Sequence, residues 1–412
     1  MQNQSVLIIG TVWVEPNSSA AGSRMLQLIQ LFLKQNWEVT FACTAQKTTN
    51  SFALDLLEVN EVSIELNNSS FNDFVKKLKP TIVLFDRFLT EEQFGWRVAE
   101  NCPKTLRILD TEDLHFLRKV RHNQLKKGEK FTNDALLNSD DTKREIAAIL
   151  RCDLSLIIST YEMDLLKSVF KIDSNILYYI PFLYDNIKEH QIKNWKSFEE
   201  REHFVFIGNF LHKPNVDAVL TLKNEIWNKV RIYLPKAELH IYGAYITQQI
   251  QQLHNSKEGF IVKGFAESAK EVVEKAKVVL APLRFGAGIK GKLTEAMLSG
   301  TPSVTTLIGA EGMSKNDLWN GFVEDDFSSF ATVAYKLYQN KSLWETAQIT
   351  GVEIINAIYD KEKLSPLFVE RIYELQENIE EHRAHHFLGS LLQHQALQAT
   401  KYMSKWIEEK NR

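Results

Sequence analysis

Short apolar runs rich in Val, Ile, Leu and Phe alternate along the chain with longer stretches of helical period. Continuous apolar runs mark strands buried on both faces, and the helical stretches between them suit crossovers, so the pattern predicts parallel sheets. Ser5–Gly10 reads as the first strand. Gly22–Asn36 sets Met25, Leu28, Ile29, Phe32 and Leu33 on one helical face, and Glu38–Thr44 is the second strand. Further strands are predicted at Val62–Leu66, Thr81–Phe85, Thr105–Leu109 and Leu154–Ser159. Between Tyr184 and His203 no apolar period is sustained, which predicts a linker. The pattern restarts with a strand at His203–Gly208, a helix at Val216–Val230, and strands at Glu238–Tyr242, Phe260–Val262, Val278–Pro282 and Ser303–Thr306. From Phe327 onward helical period dominates, interrupted at Pro366, and this tail is expected to pack over both domains. The fold class expected is α/β, with two tandem Rossmann-like doubly wound domains facing a cleft and a helical C-terminal tail. The domain bounds are 1–183, a linker 184–203, 204–376, and tail helices 377–412 across the domain junction.

Length and composition narrow the class. A chain of 412 residues exceeds one small domain, and 44% hydrophobic with 25% charged residues excludes disordered and fibrous classes. Lys plus Arg is 49 against 52 acidic residues, a net charge of −3, so a non-specific nucleic-acid binder is not expected. Cys43, Cys102 and Cys152 are too scattered for a disulfide framework or a zinc cage. With no basic segment before the first apolar run, and no run near the ~20 apolar residues that span a bilayer, a cytoplasmic protein is expected. The polar stretch Lys119–Lys143 is either a solvated excursion or a basic face toward an acidic acceptor or a lipid surface.

In open parallel sheets, ligands bind where strand ends lead into helix N-termini. The run Arg284–Thr306 follows such a strand. Gly286, Gly288 and Gly291 would let backbone approach a ligand, Lys290 and Lys292 put two cations at the start of a helix, and Glu295 lies on the same face, within reach of a ribose diol. A Gly-rich turn with solvated lysines is the plainer alternative.

This run, PLRFGAGIKGKLTEAMLSGTPSVTT, followed by IGAEGM, resembles the donor-binding segment of the retaining GT-B glycosyltransferases of family 4, glycosyl transferases group 1. FVFIGNFLHKPNVDAV, PNSSAAGSRMLQLIQLFLKQNWEVT and RCDLSLIISTYE are similar to that family's other cleft segments. The resemblance implies a metal-independent glycosyltransferase of the hexosyltransferase type, without a cofactor, acting in glycan or polysaccharide synthesis. It would move a sugar from a nucleotide-diphosphate sugar to a carbohydrate, lipid-linked or protein acceptor, with retention. Glu295 would hold the ribose, and Lys290, Lys292 and Arg284 the diphosphate or sugar. Gly22, Gly208, Lys213, Gly286, Gly288, Ile289, Gly309 and Glu311 would line the donor site. Asp113 and His115, in the loop after the strand Thr105–Leu109, would hold the acceptor hydroxyl or donor sugar, or else serve as a helix cap and a surface residue.

The sequence departs from the family pattern in three places. The first Glu of the family's Glu pair falls at Ala287, its Arg after the glycine at Asn209, and its His-Asp pair at Glu112 and Asp113. A nucleotide-sugar 2-epimerase and a catalytically silent binding subunit of the same fold are therefore the alternatives. His382, His385 and His386 share a helical turn but lack a carboxylate or Cys to complete a metal set. Tyr402, Met403 and Trp406 share a face that would pack in the core or meet a membrane or partner, consistent with peripheral contact at the inner face of the membrane.

Overall fold

The computed structural model describes residues 4–314 and 318–394, together with 402, 403, 406, 407, 409 and 410. The first sheet comprises β1 (Ser5–Gly10), β2 (Glu38–Cys43), β3 (Asn60–Ser63), β4 (Ile82–Asp86), β5 (Leu106–Asp110), β6 (Leu154–Ile157) and β7 (Leu177–Tyr179). All are parallel, in the order β3-β2-β1-β4-β5-β6-β7. The second comprises β8 (Glu202–Ile207), β9 (Leu239–Tyr242), β10 (Phe260–Gly264), β11 (Ala276–Ala281), β12 (Ser303–Thr305) and β13 (Gly321–Val323), parallel in the order β10-β9-β8-β11-β12-β13. Strand order reverses between β1 and β4 and again between β8 and β11, so each domain has the crevice of a doubly wound sheet. The short edge strands β7 and β13 were not legible in the hydrophobic pattern, because they alone are three residues long with half-exposed positions.

Apolar faces on both sides of each sheet make the two cores, as continuous apolar strands require. A further cluster bridges the domains, joining Ile158 and Phe182 to Ile289, Leu293, Met297 and Tyr359. The chain crosses between domains twice, side by side: Tyr184 N donates to Tyr359 O at 2.8 Å, and Lys361 N donates to Tyr184 O at 2.8 Å.

The tail differs from the expectation. The helix Lys361–Glu377 contains Pro366 without ending there, and its Phe368, Val369, Ile372 and Leu375 lie in the core of the first domain. The return to the first domain thus comes well before residue 377. The helices Ile379–His385 and Phe387–Gln393 also lie on the first domain: Arg383 pairs with Asp153 at 2.7 Å, while His382 and His386 ring nitrogens meet the carbonyls of Asp153 and Leu150 at 2.8 and 2.7 Å. Two of the three clustered histidines therefore anchor a helix. Tyr402, Met403 and Trp406 are exposed rather than in the core. No described helix is long and apolar enough to cross a membrane.

Candidate functional site

The second domain builds its wall from glycine approaches and two lysines. A Cβ on Gly208, just after β8, would stand 3.1 Å from Lys292 Nζ and 2.8 Å from Asn215 Nδ2, so a larger residue there would displace both side-chain ends from the strand end. Lys292 Nζ donates to Asn215 Oδ1 and lies 4.1 Å from the Phe206 ring centroid. Desolvation pulls its amine down to about 7. Lys290 precedes the helix Gly291–Leu298 and is itself buried, its Nζ donating to Gly288 O at 2.8 Å. Burial, with Arg121 nearby, lowers its amine to about 8 against the pull of Glu311, Glu162 and Asp113. Two ammonium groups held at the edge of neutrality beside a helix N-terminus make a site that gains by receiving an anion.

The first domain completes the loop between them. Gly288 has φ 62, and a Cβ there would come 2.7 Å from Asp113 Cβ. Gly288 N and Leu114 N both donate to Glu162 Oε1 at 2.9 Å, so one buried carboxyl ties the glycine loop to the loop after β5. Burial raises that carboxyl to about 7. Arg121 makes a second tie: NH1 and NH2 each donate to a Glu311 oxygen at 2.8 Å, and NH1 also donates to Gly286 O at 2.9 Å. The guanidinium lies 4.9 Å from the Phe131 ring centroid and 5.1 Å from that of Tyr161, which fixes its plane. Asn209 Nδ2 donates to Ser18 O at 3.1 Å, and Tyr245 OH donates to Glu15 Oε2 at 2.8 Å, pinning the N-terminal loop across the cleft. The residue in the family's arginine position thus joins two loops.

Asp113 and His115 face each other, with Oδ1 and Nε2 3.3 Å apart, and Arg118 NH1 lies 3.1 Å from Asp113 Oδ2. Burial works to raise the Asp113 carboxyl, but Arg118 and His115 hold it below its ordinary value. Burial outweighs Asp113 at His115 and takes its imidazole down to about 4, leaving it neutral at pH 7. His212, from the second domain, is exposed at the start of its helix, and its imidazole is lowered by partial desolvation and by Arg118.

Of the residues singled out from sequence, Lys290, Gly286, Gly288, Glu311, Asp113 and His115 come together at the domain junction, with Lys292 beside them on the Gly208 turn. Glu311 is occupied by Arg121. Gly22 is buried, with room for no Cβ against Glu15 O at 2.3 Å, and its N donates to Ser19 Oγ at 3.0 Å. Gly309 packs on Thr305, and Ile289 belongs to the interdomain cluster. Arg284 turns outward into an ion pair with Asp217, and Lys213 is exposed at the start of its helix. Glu295 is half-buried, its carboxyl raised by burial, with Ser299 Oγ donating at 3.4 Å. Sequence reasoning passed over Arg121, placed in the polar excursion, although it follows Arg118 by one helical turn after a strand-tip loop. It also passed over Asn215 and His212. Among the described residues, no three His, Cys, Asp or Glu side chains are grouped to hold a metal ion.

Residues 201–340 match the family model of Glycosyl transferases group 1. No curated protein sequence matches significantly. Among solved structures, sucrose-phosphate synthase from Thermosynechococcus elongatus superposes with a TM-score of 0.65 at 13% identity, covering 90% of this chain and 99% of that one. TarM of S. aureus, solved with fondaparinux, alpha-GlcNAc-glycerol and UDP, gives 0.66 at 12%, covering 90% and 99%. HepE of Anabaena, in complex with UDP and glucose, gives 0.63 at 12%, covering 90% and 100%. The chain therefore has the GT-B fold over nearly its whole length, and the resemblance to glycosyl transferases group 1 read from its second domain is borne out.

Proposed function

We propose that the protein is a glycosyltransferase that moves a sugar from a nucleotide-diphosphate sugar to a hydroxyl of an acceptor, with retention and without a metal. The observation that carries this reading is the pair of desolvated amines, Lys290 and Lys292, beside Gly208 and the N-terminus of the helix Gly291–Leu298. As the glycosidic bond breaks, charge grows on the leaving diphosphate, and lysines already stripped of water stabilise that charge more strongly than solvated ones. Glu295 would reach the ribose. TarM and HepE were solved with UDP, which favours a nucleoside diphosphate as the anion here as well. The acceptor side would be the tip of the first sheet, with neutral His115 and ionised Asp113 as hydrogen-bonding groups. The exposed Tyr402, Met403 and Trp406 are compatible with cytoplasmic work at a membrane surface.

Calorimetric titration with UDP, GDP and ADP, followed by donor hydrolysis and transfer assays with and without EDTA, tests the reading. Binding of one nucleoside diphosphate and donor turnover that survives EDTA are expected. Loss of turnover on chelation, restored by magnesium, refutes the metal-free site. Ala287, standing where the family has a glutamate, favours a silent binding subunit as the second reading; it predicts binding with neither hydrolysis nor transfer. Release of an altered free nucleotide sugar would identify an epimerase.

A further inference from the structure

The crevice of the first sheet, where strand order reverses between β1 and β4, holds more carboxyls than it can neutralise. Asp86 and Asp110 end β4 and β5 in register, and Glu112 and Asp113 follow two and three residues later. Three of the four carboxyls have a guanidinium. Arg24 Nε and NH2 donate to Asp110 at 3.0 to 3.2 Å, Arg118 NH1 lies 3.1 Å from Asp113, and Arg87 NH1 lies 3.5 Å from Asp86. Glu112 has no such partner. Desolvation and the neighbouring Asp110 and Asp86 carry its carboxyl well above its ordinary value, against Arg87 and Arg24.

Two oxygens in this crevice take no hydrogen bond: Glu112 Oε1 and Asp86 Oδ1. Their residues are only 8% and 4% exposed, so water is not the ready substitute it would be on a surface. Buried acceptors left without donors are costly, so two of them side by side at a strand-end crevice call for donors from outside the chain. The other Asp86 oxygen is engaged, accepting from Thr11 N at 3.1 Å. Arg24, Arg87 and Arg118 already face carboxylates, so the group is charge-balanced apart from Glu112 and has no cation to spare for an anionic ligand.

We infer that Asp86 and Glu112 form the acceptor subsite, and that it selects a neutral, hydroxyl-rich acceptor, a polyol or uncharged sugar, over one carrying a carboxylate or phosphate beside the reacting hydroxyl. The inference rests on the transferase reading and adds the class of its second substrate. Hydroxyls of such a molecule donate to Oδ1 and Oε1, whereas an anion brings no donor for these two acceptors and finds every nearby guanidinium already paired. The departure from the family's His-Asp pair then has a chemical meaning: a carboxyl replaces an imidazole where hydroxyls must be received.

The test uses the full chain loaded with the nucleoside diphosphate that binds it. Saturation-transfer NMR scores methyl glucoside, galactoside and mannoside against the matching methyl hexuronosides and hexose 6-phosphates. At least one neutral glycoside should bind, its charged counterparts should bind at least about tenfold more weakly, and Glu112→Leu, which removes the acceptor oxygen that a Gln would keep, should abolish the signal while changing nucleotide affinity less than twofold. The wild-type panel does not depend on the variant folding. Equal binding of the charged sugars, no binding of any neutral one, or an undiminished signal in Glu112→Leu overturns the inference. A wild-type protein that binds no nucleoside diphosphate overturns the transferase reading itself, and the acceptor assignment with it.

Discussion

The two walls of the cleft solve opposite electrostatic problems. At the tip of the first sheet, Asp110 is buried against Arg24, whose NH1 also donates to the carbonyls of Ile180 and Pro181 at 2.8 and 3.1 Å. At the tip of the second sheet, Lys290 and Lys292 are desolvated, and their nitrogens rest on a carbonyl and an amide oxygen instead of a carboxylate. A charge paired inside the protein holds the fold together. One left facing neutral oxygens is held in readiness for a ligand. The difference separates scaffold from site without reference to any relative.

The strongest way to break the comparison is at Arg24. Arg24→Met should destabilise the protein by about 3 to 5 kcal/mol, because it leaves Asp110 buried and uncompensated. Urea unfolding followed by circular dichroism measures it, and a loss below about 1 kcal/mol would show that this carboxylate does not depend on its partner. Arg121→Ala comes next, since it frees Gly286 O and Glu311 at once. A fall in kcat/KM of roughly 100-fold is expected, with a stability loss smaller than that of Arg24→Met because Glu311 is less buried than Asp110, since the residue positions the glycine loop across the domain junction. Joining Arg121→Glu to Glu311→Arg should restore part of the rate. A double variant no better than either single one contradicts the latch.

The smallest expected effect sharpens the other wall. Lys292→Met should weaken nucleoside diphosphate binding about tenfold and leave stability unchanged or higher, since it removes a desolvated amine that has no carboxylate partner. The pH dependence follows from the same amines. Lys292 near 7 and Lys290 near 8 are increasingly neutral in the free protein as pH rises, while an anion binds the charged form. Binding at pH 8 should therefore take up protons, and affinity should fall between pH 7 and 9. Calorimetry in buffers of different ionisation heat reads the proton count, and zero uptake would mean that the lysines stay charged throughout.

Much of the second wall was legible in the sequence because its parts are local. Gly286 to Glu295 are ten consecutive residues, and glycine, lysine and helix start announce one another along the chain. The first wall was less legible because its parts meet only through strand register. Asp86 and Asp110 become neighbours when β4 pairs with β5, and Arg24 reaches them from a helix whose period marked only its apolar face. Glu162 and Arg121 touch the glycine loop only once both domains have folded and closed. The fold was legible except at β7 and β13, short strands with half-exposed positions.

The placement of Phe368, Ile372 and Leu375 within the first core also governs how the protein is made. On a ribosome, every strand of the second sheet emerges before these three residues do. The first half of the chain must wait with part of one core uncovered while the second half completes its own interior. A segment made after the whole second sheet closes the first domain, so a nascent chain stopped near residue 360 would carry a finished second domain on an unfinished first.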